Sequence, residues 1–518
     1  MKKLFYLLIL SFLLALPMTA LCNSSLPPEA QQYPVWINYT NPETRDFGWD
    51  GNYEIGPENA TATVLRDYVQ THLLGLHNIE FNGNGHTVKM VGPEDTYPNP
   101  IFEIRQNTTS KINDLTAYRA RVSPCYFISV KGTLYLNNTV LIDSEYESNS
   151  TLSIGDTTYN NACVTIDGDS QIFGNSRNIA VINIVGGTLN ILNGMISSPI
   201  ATIRNTGSTL NMSGGEVFCS SSNYAIADGT ITITGGTVSC TNGSAIKIRY
   251  AGDKLSIANA AIKNSKIGID VIYPAPVTIG SGVVFNNNKT DIFLAKDALF
   301  TVESSFTGNA TIDVADYPAV GQKRQLTSKD TDSEMLSHFT SVNPDYAVRY
   351  DSEEQYLYLE KRIHAWAYTA NDNVITAKCT AETDCPYSQN PLTLTLNAED
   401  SVYTGSAYAA SVSDGITAIT GAAKQPIAYF KTDLEGATAD GEPVAEATEP
   451  GHYYASIMLQ HNDYQPIAVK AFTIRAPEPV LPDTGDHASY GLYFTLLAIS
   501  SALLYRGSAR RKASCKKA

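Results

Sequence analysis

The sequence predicts an all-β protein: a parallel β-helix solenoid followed by a small β-sandwich. Three observations predict it. One short phrase recurs along the middle of the chain, its apolar residues alternate with polar ones, and beyond residue 363 the alternation returns as separate runs divided by turn formers. The phrase is clearest in Thr188-Leu-Asn-Ile-Leu-Asn-Gly-Met-Ile196, Thr209-Leu-Asn-Met-Ser-Gly-Gly-Glu-Val217 and Thr230-Ile-Thr-Ile-Thr-Gly-Gly-Thr-Val238, whose leading threonines stand 21 residues apart. Leu189 and Ile191, Leu210 and Met212, and Ile231 and Ile233 follow the period of two that a strand with one buried face requires. Asn193-Gly194, Gly214-Gly215 or Gly235-Gly236 comes next, where the chain must bend, and these residues accept positive φ at little cost. A second strand, led by Ile196, Val217 or Val238, completes the unit. So short a unit cannot bury its apolar face alone and must stack on its own copies.

Weaker copies flank the clear ones. Leu255 and Ile257 lead to Asn259-Ala260, and Val277 and Ile279 lead to Ser281-Gly282; upstream the same grammar appears at 77–88, at 133–136 with Val140, and at 164–168 with Ile172. The coils are therefore expected over 76–300. The pattern resembles the right-handed β-helices of the pectin-lyase-like superfamily, and the resemblance implies a right-handed coil. A solenoid must cover its open ends. At 23–75 the sequence gives an irregular lead-in that ends in a helix over 61–74, with Val64, Leu65, Tyr68, Val69 and Leu73 on one face, and this helix is the expected N-terminal cap. Residues 301–362 are the expected C-terminal cap, with strands at 310–314 and 356–359 and a short helix between Asp330 and Phe339.

The sandwich is expected over 363–475, from alternating runs at 364–369, 374–379, 392–397, 427–431, 453–458 and 467–474. Val402-Tyr-Thr-Gly405 and Gly451-His-Tyr-Tyr-Ala-Ser456 resemble the bacterial Ig-like modules repeated in Gram-positive surface proteins. That resemblance implies a spacer without chemistry of its own.

Both ends of the chain carry targeting signals. Met1-Lys2-Lys3, an apolar run over 4–16, Pro17 and Ala20-Leu21-Cys22 read as a secretion signal over 1–22, removed after Cys22. At the other end a Pro-rich linker over 476–480 leads to Leu481-Pro482-Asp483-Thr484-Gly485. An apolar run over 490–505 follows, and then Arg506, Arg510, Arg511, Lys512, Lys516 and Lys517 with no acid among them. In this order the segment 481–518 resembles the cell-wall sorting signal read by sortase in Gram-positive bacteria. The physics suits it: the apolar run enters the bilayer but is short for a lasting span, and the cationic tail resists translocation and stays on the anionic inner face. The resemblance implies that a sortase cysteine attacks the Thr484 carbonyl and cuts before Gly485. A peptidoglycan amine then takes the acyl group, so Thr484 becomes the point of wall attachment. The protein is the substrate in that reaction; its partners are the sortase and peptidoglycan, and its expected location is the cell-wall surface.

A formal charge of −15 with only 36 Lys+Arg excludes nucleic acid as a natural partner. Of the 8 cysteines, Cys22 and Cys515 lie in segments expected to be removed. Cys219 and Cys240 stand four residues after Gly215 and Gly236, so they stack in successive coils. A disulfide between them and two thiols packed in the core are both compatible with that spacing. Cys379 and Cys385 are close enough in sequence to clip a hairpin, and Cys125 and Cys163 pair or stay apart. None has the paired CxxC spacing of a zinc site, so no metal or cofactor is expected.

Polygalacturonase-type members of the superfamily carry Asn-Thr-Asp, Asp-Asp, Gly-His-Gly and Arg-Ile-Lys. Here the first two are missing, and Gly85-His86-Thr87 and Arg362-Ile363-His364 are partial echoes. Glycoside hydrolysis needs two carboxylates flanking the scissile bond. Asp167-Gly168-Asp169 reads as a solvated turn in place of a calcium cluster, and Arg249 as a surface arginine in place of a lyase base. The expectation is a protein without catalytic residues: an adhesin or ligand-display rod for a host or community glycan or protein. The alternatives are a wall-held polysaccharide lyase or glycosidase, and a passive spacer of the cell surface.

Overall fold

Repeats 21 residues apart stack directly on one another. Thr188 lies beside Thr209 and Thr209 beside Thr230, and one residue on, Leu189, Leu210 and Ile231 form a continuous apolar column. This is seen in a computed structural model that describes residues 37–39, 53–55, 61–64, 67–70, 73–90, 102–119, 126–143, 150–175 and 180–478. The expected secretion signal over 1–22, Cys22, Cys125, Cys515, the pentapeptide Leu481-Pro482-Asp483-Thr484-Gly485 and the apolar run 490–505 lie outside the described residues. Among the described residues no helix is long and apolar enough to cross a membrane.

Among the described residues each coil contributes to three sheets, parallel throughout but for Ile37–Tyr39 in the first. The first, a threonine face of 12 strands, includes Thr188–Ile191, Thr209–Met212 and Thr230–Ile233. The second, a cysteine face of 10 strands, includes Met195–Ser198, Glu216–Cys219 and Thr237–Cys240. The bend between these faces uses Gly215 and Gly236 at φ of 76° and 88°. A Cβ on Gly236 would come within 2.7 Å of the Gly215 carbonyl oxygen, so the corner demands glycine on steric as well as torsional grounds.

The third face, of 13 strands, includes Ile203–Asn205, Tyr224–Ala227 and Ser244–Ile248. Sequence reading expected two strands per coil and missed this one. Tyr224–Ala227 is buried along its whole length, so it lacks the alternation that marks a half-buried strand. Inward residues of all three faces merge into one apolar core that runs from Ala62 to Leu359.

The N-terminal cap differs from expectation. In place of a helix over 61–74 the chain forms strands Thr61–Val64, Tyr68–Gln70 and Leu73–Leu76, one on each face. Their neighbours in the next coil are Glu80–Asn82, Thr87–Met90 and Phe102–Ile104. Apolar residues three and four apart fit a helix, but they fit equally well three short strands that turn two corners. Stacking on the next coil decides between them. Parallel pairing already joins Tyr53–Ile55 to Leu73–Leu76, ahead of the expected start at 76, and Ile37–Tyr39 lies antiparallel on Thr61–Val64.

Coils also continue past 300. Ala310–Val314 and Phe339–Ser341 extend the third face in parallel register. An antiparallel sheet of Lys323–Gln325, Tyr356–Lys361 and Tyr346–Asp351 follows. The expected short helix is a 3₁₀ helix, Ser333–His338; the Asp332 side chain accepts a hydrogen bond from the Glu334 N–H at 3.0 Å and starts it. Here aromatic rings replace the aliphatic column: Phe339 lies 5.4 Å from Phe300 and 5.5 Å from Phe306 between ring centres.

A second compact unit begins at His364. The six alternating runs read from sequence fall in the strands Trp366–Asn371, Val374–Cys379, Leu392–Asn397, Ala428–Thr432, Gly451–Gln460 and Ile467–Arg475. They build two mainly antiparallel sheets around one core that includes Ile375, Leu394, Tyr453, Ile457 and Phe472.

Candidate functional site

A concavity lies at the edge of the cysteine face, where Glu216–Cys219, Thr237–Cys240, Ala261–Lys263 and Val284–Asn286 turn toward the third face. Alternation fixes what each strand offers. Val217, Cys219, Val238, Cys240 and Ile262 point inward and are fully buried, whereas Glu216, Phe218 and Lys263 point outward and line a groove of about 820 Å³.

The floor of the groove is a stitched corner. Asn264 and Asn287 both adopt the left-handed conformation, at φ of 53° and 55°, which asparagine tolerates better than most residues. The Asn287 amide donates to Asn264 Oδ1 at 2.9 Å. Asn288 donates to the Ile262 carbonyl and accepts from the Ser265 N–H, both at 2.9 Å, and Ser265 Oγ accepts from the Cys240 N–H at 2.9 Å. These bonds tie the corner together from coil to coil.

Lys263, Lys266 and Lys289 rise from it. Lys266 and Lys289 are exposed, and Lys263 is half-buried. Among the described residues no acid lies within ion-pair reach of these three, while Lys131 pairs with Glu103 at 2.9 Å and Lys247 with Asp270 at 3.4 Å. Lys266 and Lys289 immediately precede the paired residues Ile267 and Thr290, so they occupy one position in adjacent coils. Glu216 is the only acid in the lining. In a chain of formal charge −15 this is a local cationic surface with an aromatic edge at Phe218. Sequence reading passed over it, although Lys266-Ile267 and Lys289-Thr290 repeat in register.

The residues singled out from sequence lie elsewhere. Arg249 is no free surface cation: Nε donates to Asp228 Oδ1 at 2.8 Å, Nη2 bonds Oδ2, and the guanidinium lies 5.1 Å from the Tyr224 ring centre. The Asp228 carboxylate raises the Arg249 pKa above its ordinary value, which makes it a poorer base still. At Asp167-Gly168-Asp169 the Asp167 carboxylate accepts the Gly168 N–H at 2.7 Å, and the Asp169 N–H donates to Asn138 at 3.0 Å. Both acids are exposed, Asp167 at the end of the strand Cys163–Asp167 and Asp169 in the turn after it. His86 Nδ1 lies 3.3 Å from Asp67. The Arg362 N–H donates to the Asp345 carbonyl at 2.8 Å, and His364 belongs to the second unit.

Cys219 and Cys240 are partners in adjacent strands, fully buried, and both are thiols. Cys219 Sγ donates to the Ile200 carbonyl at 2.6 Å. A hydrogen bond shared by the two sulfurs, with burial second, pushes the Cys240 thiol far above its ordinary value. Cys379 ends the strand Val374–Cys379 and Cys385 precedes a short helix, Pro386–Gln389; both are buried thiols, and each sulfur lies 3.5 Å from His364 Nδ1. That cluster was not foreseen, because the histidine stands 15 residues before the first cysteine and only strand pairing brings it back.

Comparison with protein-family models, with curated proteins and with solved structures finds no match to this chain.

Proposed function

We propose that the protein is a secreted, wall-anchored adhesin whose solenoid binds an acidic glycan in the lysine-lined groove. The observation that carries the binding reading is the set Lys263, Lys266 and Lys289, which among the described residues have no acid within ion-pair reach, with Lys266 and Lys289 aligned across adjacent coils. Like charges stacked in this way repel, by about 0.9 kcal/mol in water if held at the strand spacing of roughly 4.8 Å. A polyanion bound along the coils relieves that repulsion. Phe218 supplies an apolar edge of the kind on which a sugar ring packs. Sortase as processing enzyme and peptidoglycan as covalent partner rest on Leu481-Pro482-Asp483-Thr484-Gly485 with the apolar and basic segments behind it.

A catalytic reading has less support. Arg249 is engaged with Asp228, and the groove offers one carboxylate where glycoside hydrolysis uses two.

The test is binding of the full chain to a panel of uronate, sulfated and neutral polysaccharides. Salt-sensitive binding to the acidic polymers is expected, reduced about tenfold or more by Lys263→Gln/Lys266→Gln/Lys289→Gln, which corresponds to a loss of about 1.4 kcal/mol. Binding that ignores the triple substitution refutes the groove, and product release from any of the polymers refutes the non-enzymatic reading. Wall anchoring is tested separately: muramidase should release the chain from cells, and the mature C-terminus should end at Thr484. Full release by detergent alone, or an intact basic tail, removes it.

A further inference from the structure

We propose that His364, Cys379 and Cys385 form a Zn²⁺ site in the second unit, independent of the groove and of wall anchoring. The fold assembles the three from separate places. Trp366–Asn371 and Val374–Cys379 are antiparallel with Trp366 opposite Cys379, and the ladder runs on through the Thr380 N–H donating to the Ala365 carbonyl at 2.8 Å. That register carries His364 back beside Cys379. The turn after Cys379 then reverses: the Cys385 N–H donates to the Glu382 carbonyl at 3.3 Å, Ser388 Oγ to the Thr383 carbonyl at 3.0 Å, and the Ser388 N–H to the Cys385 carbonyl at 2.8 Å. Cys385 is thereby returned to the same point.

The spacing is that of metal ligands. His364 Nδ1 lies 3.5 Å from Cys379 Sγ and 3.5 Å from Cys385 Sγ, and the three donor atoms lie within 4.8 Å of one another. Zn–S bonds of about 2.3 Å and a Zn–N bond of about 2.05 Å at tetrahedral angles place S and N about 3.5–3.6 Å apart. Two edges of the tetrahedron are thus already set. Cys379 and Cys385 are 1% and 0% exposed, in a site that shields a metal from water on that side. The imidazole is held between Trp366 and Tyr387, with ring centres 5.2 and 5.5 Å away. Clipping a hairpin with two cysteines does not require an imidazole equidistant from both sulfurs; holding Zn²⁺ does. Two thiolates with one imidazole is a donor set that favours Zn²⁺ over the hard cations Mg²⁺ and Ca²⁺.

Loading involves no redox change. Each thiol passes its proton to water as its sulfur bonds the ion, so two protons leave and the two thiolates cancel the Zn²⁺ charge. Neutral imidazole gives the Nδ1 lone pair, and water takes the fourth position. The bound ion joins the start of the second unit to the turn that follows Val374–Cys379.

The experiment uses the full chain, reduced with a phosphine, loaded with Zn²⁺ and freed of excess metal. Elemental analysis is expected to find one Zn²⁺ per chain, and Co²⁺ in its place to give thiolate-to-metal charge-transfer absorption. Cys379→Ser and Cys385→Ser should each abolish both, and His364→Ala should weaken binding by about tenfold or more. Zn²⁺ should also shield Cys379 and Cys385 from alkylation, mapped peptide by peptide in the unsubstituted protein, with a chelator restoring reactivity; this arm decides the matter even if a variant does not fold. No retained Zn²⁺, charge transfer that survives both serine substitutions, or a Cys379–Cys385 disulfide that re-forms with Zn²⁺ present would each overturn the site.

Discussion

Arg119 and Asp143 allow the energetics of the coil stack to be tested at one contact. Tyr118 pairs with Ile142 across adjacent strands of the cysteine face, so the residues that follow them meet. The Arg119 guanidinium donates to Asp143 at 2.6 Å from Nε and 2.5 Å from Nη2, and Thr151 Oγ1 donates to the same carboxylate at 2.8 Å. The side chains are 1% and 0% exposed. Asp143→Leu keeps much of the volume and removes the carboxylate that takes both of these bonds from the buried guanidinium. Such a break costs about 3–5 kcal/mol, whereas replacing both partners by apolar residues is often close to neutral. A solenoid opens coil by coil, so a global melt is the wrong readout. Amide hydrogen exchange is the right one. At 1.4 kcal/mol per tenfold, peptides within 109–143 should exchange roughly a hundred-fold to several-thousand-fold faster in Asp143→Leu. Arg119→Met/Asp143→Leu should recover most of the protection. Acceleration of less than about tenfold in the single variant, or none of it recovered in the double, refutes the claim that this pair holds the coils as a buried charge pair.

Two further outcomes follow from the same packing. Leu210 is fully buried between Leu189 and Ile231, so Leu210→Ala should cost about 2–5 kcal/mol, read as faster exchange within 188–240 with peptides after 364 unchanged. At the end of the solenoid, the Asp351 carboxylate accepts from Lys323 Nζ at 2.8 Å and from the Glu354 and Glu353 N–H groups at 3.1 Å, and these bonds hold its pKa below the ordinary value. A depressed folded pKa stabilises above the unfolded value of about 3.9 and loses that contribution as pH falls through the folded one. Limited proteolysis at 346–361 should therefore rise below about pH 4, and Asp351→Asn should flatten that dependence.

Much of the architecture was legible because stacking forces repetition: Thr188, Thr209 and Thr230 share a row, so their spacing is the length of a coil. The third face was hidden because a strand such as Tyr224–Ala227, covered on both sides, carries no alternation. The first coil was misread for a related reason. Strands of three or four residues separated by corners imitate a helical period, and Thr61–Val64 is fixed as a strand only by Glu80–Asn82 beside it. The stacking of Cys219 on Cys240 was readable from the repeat. The His364 cluster was not, because its geometry comes from an antiparallel register that joins residues 15 apart.

Stacking also separates side chains that serve the fold from those that do not. A row of like residues in adjacent coils must live with its own copies at roughly 4.8 Å. Asparagine does this well, because each amide is both donor and acceptor. Asn211 donates to Asn190, Asn113 to Asn82 and Asn287 to Asn264, each at 2.9 Å. Such ladders bind coil to coil. Lysine has three donors and no acceptor, so Lys266 above Lys289 gains nothing from the stack and is repelled by it. A row that is unfavourable for the fold, set on a corner that asparagine ties together, is where a solenoid of this composition would meet an anion.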